Sequence, residues 1–356
     1  MNQATLNQVF EDLAARYQSG ALSVRSNVVA GKVEPLDSCD VENLPREGDQ
    51  ELQACRARGL EALASGQVGV VILAGGMATR FQYSQPKGLF PVWDDKSFLE
   101  LKLEAVRSLG FPVPVFLMTS FATDDAIAHH LRSGQYFGLP EHRVERFRQY
   151  QMPRLDTKGG PFYQDGQLSL AAPGHGDFPF AIAESGILSR FIAGGGRYLF
   201  FSNVDNLAAT VDPVILGNHI RSGAEMTVEV AAKNPGDQGG APARVNGSVR
   251  LIEGFAFPPD FDQSQIDVFN TANYIFDASA LSKADELPWY VVEKTVRGNQ
   301  VVQFEHLAGD LSAVLKTRYL RVSRDERFLP VKTPDDLPKT VAALKERWKT
   351  KLSTLC

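Results

Sequence analysis

The chain has 356 residues, 44% of them hydrophobic and 22% charged, which suits one large globular domain with appendages and excludes a disordered or fibrous protein. With 37 basic residues against 42 acidic and a net charge of −5, it carries no basic block for gripping a nucleic-acid backbone; small anions remain open, because a few local cations hold them whatever the global sign. Cys39, Cys55 and Cys356 lack any metal-binding spacing and fit a reduced compartment, and no apolar run approaches the ~18 residues of a membrane span, so a cytoplasmic protein with no membrane partner is expected.

The opening stretch MNQATLNQVFEDLAARYQSG reads as an amphipathic helix with acidic residues inside it, unlike a signal segment. Residues 1–64 are expected as an N-terminal helical segment, helical at both ends with a polar, proline-containing middle. β-branched or aromatic runs then follow at Val68–Leu73, Pro114–Thr119, Tyr198–Ser202 and Met226–Ala231. Helical patterns such as SFLELKLEAVRSL and TDDAIAHHLRS separate them, and this alternation predicts an α/β fold over 65–333, with a mixed, mainly parallel sheet flanked by helices on both faces. Asn246-Gly247 in ARVNGSVRLIEG signals a type I′ hairpin, expected to add antiparallel strands to that sheet. Residues 334–356 close the chain as a helix.

The stretch VGVVILAGGMATRFQYSQPKGLFPV holds the main chemical signal. A buried-strand pattern runs into Gly75-Gly76, and in open parallel sheets the loops at the carboxyl ends of strands are where ligands bind. Two glycines let the backbone approach an anion and aim N–H groups at it, although a bare Gly-Gly also suits a plain tight turn. The phosphate-loop pattern G-x-x-x-x-G-K-[ST] is absent, and G-x-G-x-x-G fails because Ala78 and Phe81 stand where its later glycines belong. What remains is G-G-x-x-T-R…P-K-G. Lys87 can bring a point charge toward an anion, and the Arg80 guanidinium can chelate phosphate oxygens bidentately. Asp205, after the run RYLFFSNV, is read as ending its strand, and Mg²⁺ is content with one or two carboxylates plus waters and phosphates. Asn203 shares its side of the strand. Asp177, before an apparent helix, is read as an N-cap only, and His129 and His130 receive no role.

The loop resembles the signature of sugar-nucleotide pyrophosphorylases. In order along the chain, FRQYQMPRL, GHGDF, FFSNVDNLAATVDP, QGGAPARVNGSVRLIE, FNTANYIF and RFLPVKTPDDL resemble the UDP-glucose pyrophosphorylase (UTP–glucose-1-phosphate uridylyltransferase) family, spanning with the loop Val68 to Leu337. The resemblance implies a Rossmann-like sheet of the nucleotide-diphospho-sugar transferase type, UTP and a sugar 1-phosphate as substrates, and Mg²⁺ as cofactor, held by Asp205. It implies that Leu73, Ala74, Gly75, Gly76, Gln149 and Gly174 lie against the nucleotide, with Gln149 reading the uracil edge. Lys87 and Lys332 would meet the triphosphate. His175, Asn203, Gly240, Glu253, Asn270 and Thr271 would contact the sugar phosphate.

Two positions depart from the family pattern. Ala78 stands where a glycine is usual, and Ala272 where an asparagine is, which removes one hydroxyl contact. N-acetylhexosamine or broad-specificity UDP-sugar enzymes are therefore the rival reading, while GHGDF and RFLPVKT favour the glucose branch. A catalytically inactive nucleotide-sugar sensor is a third; its mark would be loss of Asp205 or of a lysine, and both are present. Eukaryotic members carry a C-terminal β-helix used for association. The chain ends soon after VKTPDDL, so a short form without that domain is expected, and its oligomeric state stays open.

Overall fold

The computed structural model describes residues 2–46, 48–234, 237, 239–285 and 287–353, the last seven as helix only; Cys356 lies outside the described residues. Its central sheet has eight strands: β1 (Val41–Asn43), β2 (Val68–Leu73), β3 (Val115–Thr119), β4 (Val144–Arg148), β5 (Tyr198–Asn203), β6 (Met226–Ala232), β7 (Val268–Asp277) and β8 (Thr317–Val322). Their spatial order is β1-β8-β6-β7-β5-β2-β3-β4. Every neighbouring pair is parallel except the two that β7 makes, antiparallel to β5 and to β6.

Both faces of this sheet are covered, which is why its middle strands are apolar throughout rather than alternating. Residues 68–72 of β2, 115–119 of β3 and 198–202 of β5 are all buried. Odd and even positions serve different layers. Val71, Phe116, Met118, Leu199 and Phe201 join one core with Leu6 and Leu13 of helix α1 (Gln3–Gln18) and with later segments. Val70, Ile72, Leu117 and Phe200 join the other. That second core holds Leu63 of α2 (Gln50–Ala64), Leu99 and Leu103 of α3 (Phe98–Arg107), Ile127 of α4 (Asp124–Ser133) and, further along, Ile215. Next come α5 (Phe178–Glu184) and α6 (Ile187–Ala193) in the first layer, α7 (Pro213–Ser222) carrying Ile215, the single turn α8 (Arg324–Arg327), and α9 (Leu337–Ser353). Local chemistry starts the helices where expected: Ser97 accepts from the Glu100 N–H ahead of α3, and Asp212 accepts from Val214 and Ile215 ahead of Pro213.

Two expectations change in detail. Asn246-Gly247 does form a hairpin turn, with φ of 51° and 85°, between Ala241–Val245 and Ser248–Ile252. Those strands pair with Val33–Glu34 in a separate three-stranded sheet, so the antiparallel member of the central sheet is β7 instead. The hairpin's apolar positions, Ala243, Val245 and Leu251, pack on the first core rather than extending the sheet. The polar middle of residues 1–64 supplies β1, which pairs in parallel with β8 at the sheet's edge. Among the described residues no helix is long and apolar enough to cross a membrane.

Candidate active site

The parallel strands β2, β3, β4 and β5 end at the same edge of the sheet, and the loops leaving them build an open cleft of about 320 Å³. Leu73, Gly75 and Gly76 line it after β2, Met118 at the end of β3, Gln149 after β4, and Asn203, Val204 and Asp205 at and beyond the end of β5. Ala172, Gly174, His175 and Glu305 close it from the other side. A larger groove of about 440 Å³ beside Val41 and Ile266 is less suited to a reaction. Its charged groups are already paired, Arg321 with Asp267 at 2.8 Å and Asp37 with Arg244 at 2.8 Å.

The glycine loop is folded back on itself. The Lys87 N–H donates to the Gly76 carbonyl at 2.9 Å, and Met77 bridges Pro86, so the lysine returns to the glycines. Its ammonium meets the Asp205 carboxylate across the cleft and lies 5.4 Å from the centre of the Phe81 ring. Both side chains keep about a fifth of their surface exposed, so ligand can reach either. Asp205 lies two residues past β5, which ends at Asn203, and thus sits in the following turn rather than on the strand.

On the opposite wall the Gln149 amide donates to the Gly174 carbonyl at 2.7 Å. Its Oε1 lies 2.3 Å from where a Cβ on Gly75 would stand, so any side chain at 75 would displace it. Gly174 has φ of 94°, and a Cβ there would come within 2.5 Å of the His306 carbonyl. Gly174 is therefore fixed by backbone contact, whereas a side chain at 75 would displace the Gln149 amide and a Cβ on Gly76 would meet nothing within 4 Å.

His175 accepts the Ala308 N–H on Nδ1 at 2.9 Å. Desolvation pushes its pKa down to about 4, with Glu305 opposing and the neighbouring His306 adding to the shift, although part of the ring's surface faces the cleft. A neutral ring with Nδ1 accepting carries its proton on Nε2, which makes it a hydrogen-bond donor at neutral pH.

Asp177 departs from the capping role. Its side chain makes no cap bond; it is fully buried, accepts from the Tyr150 N–H at 2.8 Å and pairs with His306 Nε2 at 2.7 Å. Burial raises its pKa, and His306 pulls it part of the way back. His306 in turn stacks on Trp289, with ring centres 4.2 Å apart.

The remaining candidates do not line this cleft. Ala74 is buried behind it, its N–H bonded to Met118 O. Arg80 is exposed on the turn Thr79–Phe81 and is not part of the cleft wall. Lys332 is exposed, and the preceding Val331 N–H donates to the Asp205 carbonyl at 3.2 Å, which brings the two segments side by side. Gly240, Glu253 and Asn270 form a second group. The Asn270 N–H donates to Gly240 O at 2.8 Å, a Cβ on Gly240 would lie 3.2 Å from a Glu253 oxygen, and the Asn270 amide donates to the Tyr274 hydroxyl. The Thr271 hydroxyl is turned inward onto the Glu229 carbonyl at 2.7 Å. Ala272, beside them, has φ of 57° where β7 bulges against β6.

Glu305 and Ser120 were missed by the sequence reading. Glu305 ends the strand Asn299–Glu305 and lines the cleft; the Ser120 hydroxyl donates to the Gly75 carbonyl at 2.8 Å. The only sequence signal for the first is the Arg297-Gly298 turn, which makes a hairpin of Tyr290–Val296 and Asn299–Glu305. Among the described residues no cluster of three or more His, Cys, Asp or Glu could hold a metal by itself. Asp205 and Glu305 both line the cleft, and one or two carboxylates fit a Mg²⁺ that shares its shell with substrate phosphates and do not fit a zinc or calcium cage.

A doubly covered, mainly parallel sheet with an open cleft at its strand ends, lined by one lysine, the carboxylates of Asp205 and Glu305 and bare glycines, is a Rossmann-like α/β architecture. A family model described as UTP–glucose-1-phosphate uridylyltransferase matches residues 8–353, and the chain belongs to that family. The UTP–glucose-1-phosphate uridylyltransferase of Solanum tuberosum is 32% identical over 75% of this chain and 60% of its own length. The chain thus spans about 60% of the length of such curated relatives. Among solved structures, a Trypanosoma brucei uridine diphosphate N-acetylglucosamine pyrophosphorylase shares the fold with a TM-score of 0.81 at 22% identity, covering 97% of this chain and 78% of its own. A UDP-glucose phosphorylase from the same organism matches with a TM-score of 0.75 at 25% identity, covering 93% and 73%.

Proposed function

We propose that this protein is a UTP–glucose-1-phosphate uridylyltransferase. A sugar-1-phosphate oxygen attacks the α-phosphorus of UTP in line with the departing pyrophosphate, so one P–O bond forms as another breaks and a UDP-sugar results. The observation that carries the reading is the meeting of Lys87 and Asp205 across the cleft floored by Gly75 and Gly76. The attacking phosphate is already ionised, so no protein nucleophile or general base is required; the chain supplies position and charge.

In this reading Lys87 leaves Asp205 for the triphosphate, and Arg80 and Lys332 bear on the leaving pyrophosphate from the rim. A Mg²⁺ shared between Asp205 and the phosphates would supply charge neutralisation at the α-phosphoryl group. The Gln149 amide, held by Gly174 and pressed against Gly75, suits the edge of a uracil. His175, neutral with a proton on Nε2, suits a sugar-phosphate oxygen. Gly240, Glu253 and Asn270 are the proposed hexose side; Thr271, buried with its hydroxyl on the Glu229 carbonyl, is left out of it.

A second reading keeps the chemistry and changes the sugar. Ala272 offers only a methyl in a bulge beside Asn270, where the family pattern has an asparagine amide, and the similar T. brucei structure is named for N-acetylglucosamine. Pyrophosphate release from UTP and Mg²⁺, compared across glucose, galactose and N-acetylglucosamine 1-phosphates, separates the two.

A further inference from the structure

Helix α3 carries a lysine on its buried face. Lys102 is 3% exposed, among Leu99, Leu101, Leu103 and Val106. Burying an ammonium in such surroundings is costly unless every donor is matched. All three are: Nζ donates to the Ser202 hydroxyl at 2.8 Å, the Ala209 carbonyl at 2.6 Å and the Asn206 carbonyl at 3.2 Å. Ser202 precedes Asp205 and the other two follow it, so one ammonium holds both sides of the turn that carries the cleft's carboxylate.

The same turn is tied to the segment that carries Lys332. The Asn206 side chain donates to the Arg327 carbonyl at 3.1 Å and accepts from the Leu329 N–H at 2.9 Å. Arg327 is itself fixed by Glu229, with Nε and Nη2 at 2.8 and 2.5 Å from its two oxygens. Burial pushes the Lys102 pKa down to about 7, with Arg327 adding to the shift and Asp205 and Glu229 opposing it. The tether survives that titration, because a neutral amine donates to the two carbonyls and accepts from the Ser202 hydroxyl.

We propose that Lys102 is a positioning residue for the transfer reaction: through Ser202, Asn206 and Ala209 it sets where the Asp205 carboxylate stands relative to Lys87 and to the Lys332 segment. The inference rests on the uridylyltransferase reading, and its test has one arm that does not need turnover. In the unliganded Lys102→Met protein, amides of residues 203–210 should exchange with deuterium about tenfold faster or more, while β2 and β3 keep their protection. In the kinetic arm kcat should fall by about tenfold to a hundredfold, with KM for the sugar 1-phosphate changed by less than about threefold, as expected of displaced catalytic groups in an intact pocket. Ser202→Ala, which removes one bond of the three and keeps the charge, should move both readouts the same way by less, and it decides the matter if Lys102→Met does not fold. Unchanged exchange in 203–210, or unchanged kcat in a variant whose turn has loosened, overturns the proposal. If the unmodified protein transfers no uridylyl group to any sugar phosphate, the functional reading fails and the exchange arm alone decides the tether.

Discussion

Single residues shape the cleft through their charges and close approaches. Lys87 is returned to the glycines by its own N–H bond to Gly76 and faces Asp205, so it is placed to answer negative charge on a triphosphate. Lys87→Ala should lower kcat by about a hundredfold or more, by analogy with loss of one preorganised oxyanion donor, while circular dichroism and melting stay unchanged. Near-normal turnover would remove its assigned role. Gly75→Ala puts a methyl where Gln149 Oε1 stands, 2.3 Å away, and must push that amide off the Gly174 carbonyl. UTP affinity measured by calorimetry should drop by about tenfold, the size of one lost hydrogen bond in a closed contact; unaltered affinity would mean that Gln149 does not abut the base. These residues were legible because their motif is local and ordered. Glu305, Ser120 and Lys102 were not, because each matters only through a segment far away in sequence. A lysine in SFLELKLEAVRSL looks like a solvated helix face until Ser202, 100 residues on, is found beneath it.

Between elements, the same contrast decides Asp177. Local rules make an aspartate ahead of Phe178-Pro179 a helix cap, yet the carboxylate turns to His306, 129 residues later, and to the Tyr150 N–H. That choice fastens the start of α5 to the end of the strand Asn299–Glu305, and so holds Gly174 and His175 beside Glu305. Asp177→Ala leaves a buried N–H and a buried ring nitrogen without partners, which should cost about 2–4 kcal/mol in urea denaturation. A loss below about 0.5 kcal/mol would reduce the pair to a bystander. The strands β2, β3, β5 and β6 were readable from apolar runs because a doubly covered sheet writes itself that way. β7 was not, since its bulge at Ala272 and its partly exposed Asn270 interrupt the run, and β1 is too short and polar to announce itself.

For the molecule as a whole, stability in acid should follow its buried histidines. His219 of α7 is 1% exposed, bonds Thr227 on β6 through Nδ1 at 2.8 Å and leaves Nε2 buried without a partner. Desolvation pushes its pKa down to about 4, with Asp277 opposing and Arg318 adding to the shift. The unfolded chain takes up that proton below about pH 6.5 while the folded one does not, so stability is complete above 6.5 and is lost as pH falls toward 4, by about 3 kcal/mol for this group. Urea denaturation between pH 7 and 4.5 should show a shallower decline in His219→Gln than in the parent; parallel declines would contradict the assignment. His175 works in the same direction. The sheet, its two cores and the strand-end cleft bring Lys87 and Asp205 together, where uridylyl transfer is proposed to happen. The most direct measurement is pyrophosphate release from UTP and Mg²⁺ across glucose, galactose and N-acetylglucosamine 1-phosphates. Release with a clear preference for glucose 1-phosphate is the expected result; preference for another sugar would keep the mechanism and move specificity to the bulge at Ala272; silence with every sugar would contradict uridylyl transfer at this cleft.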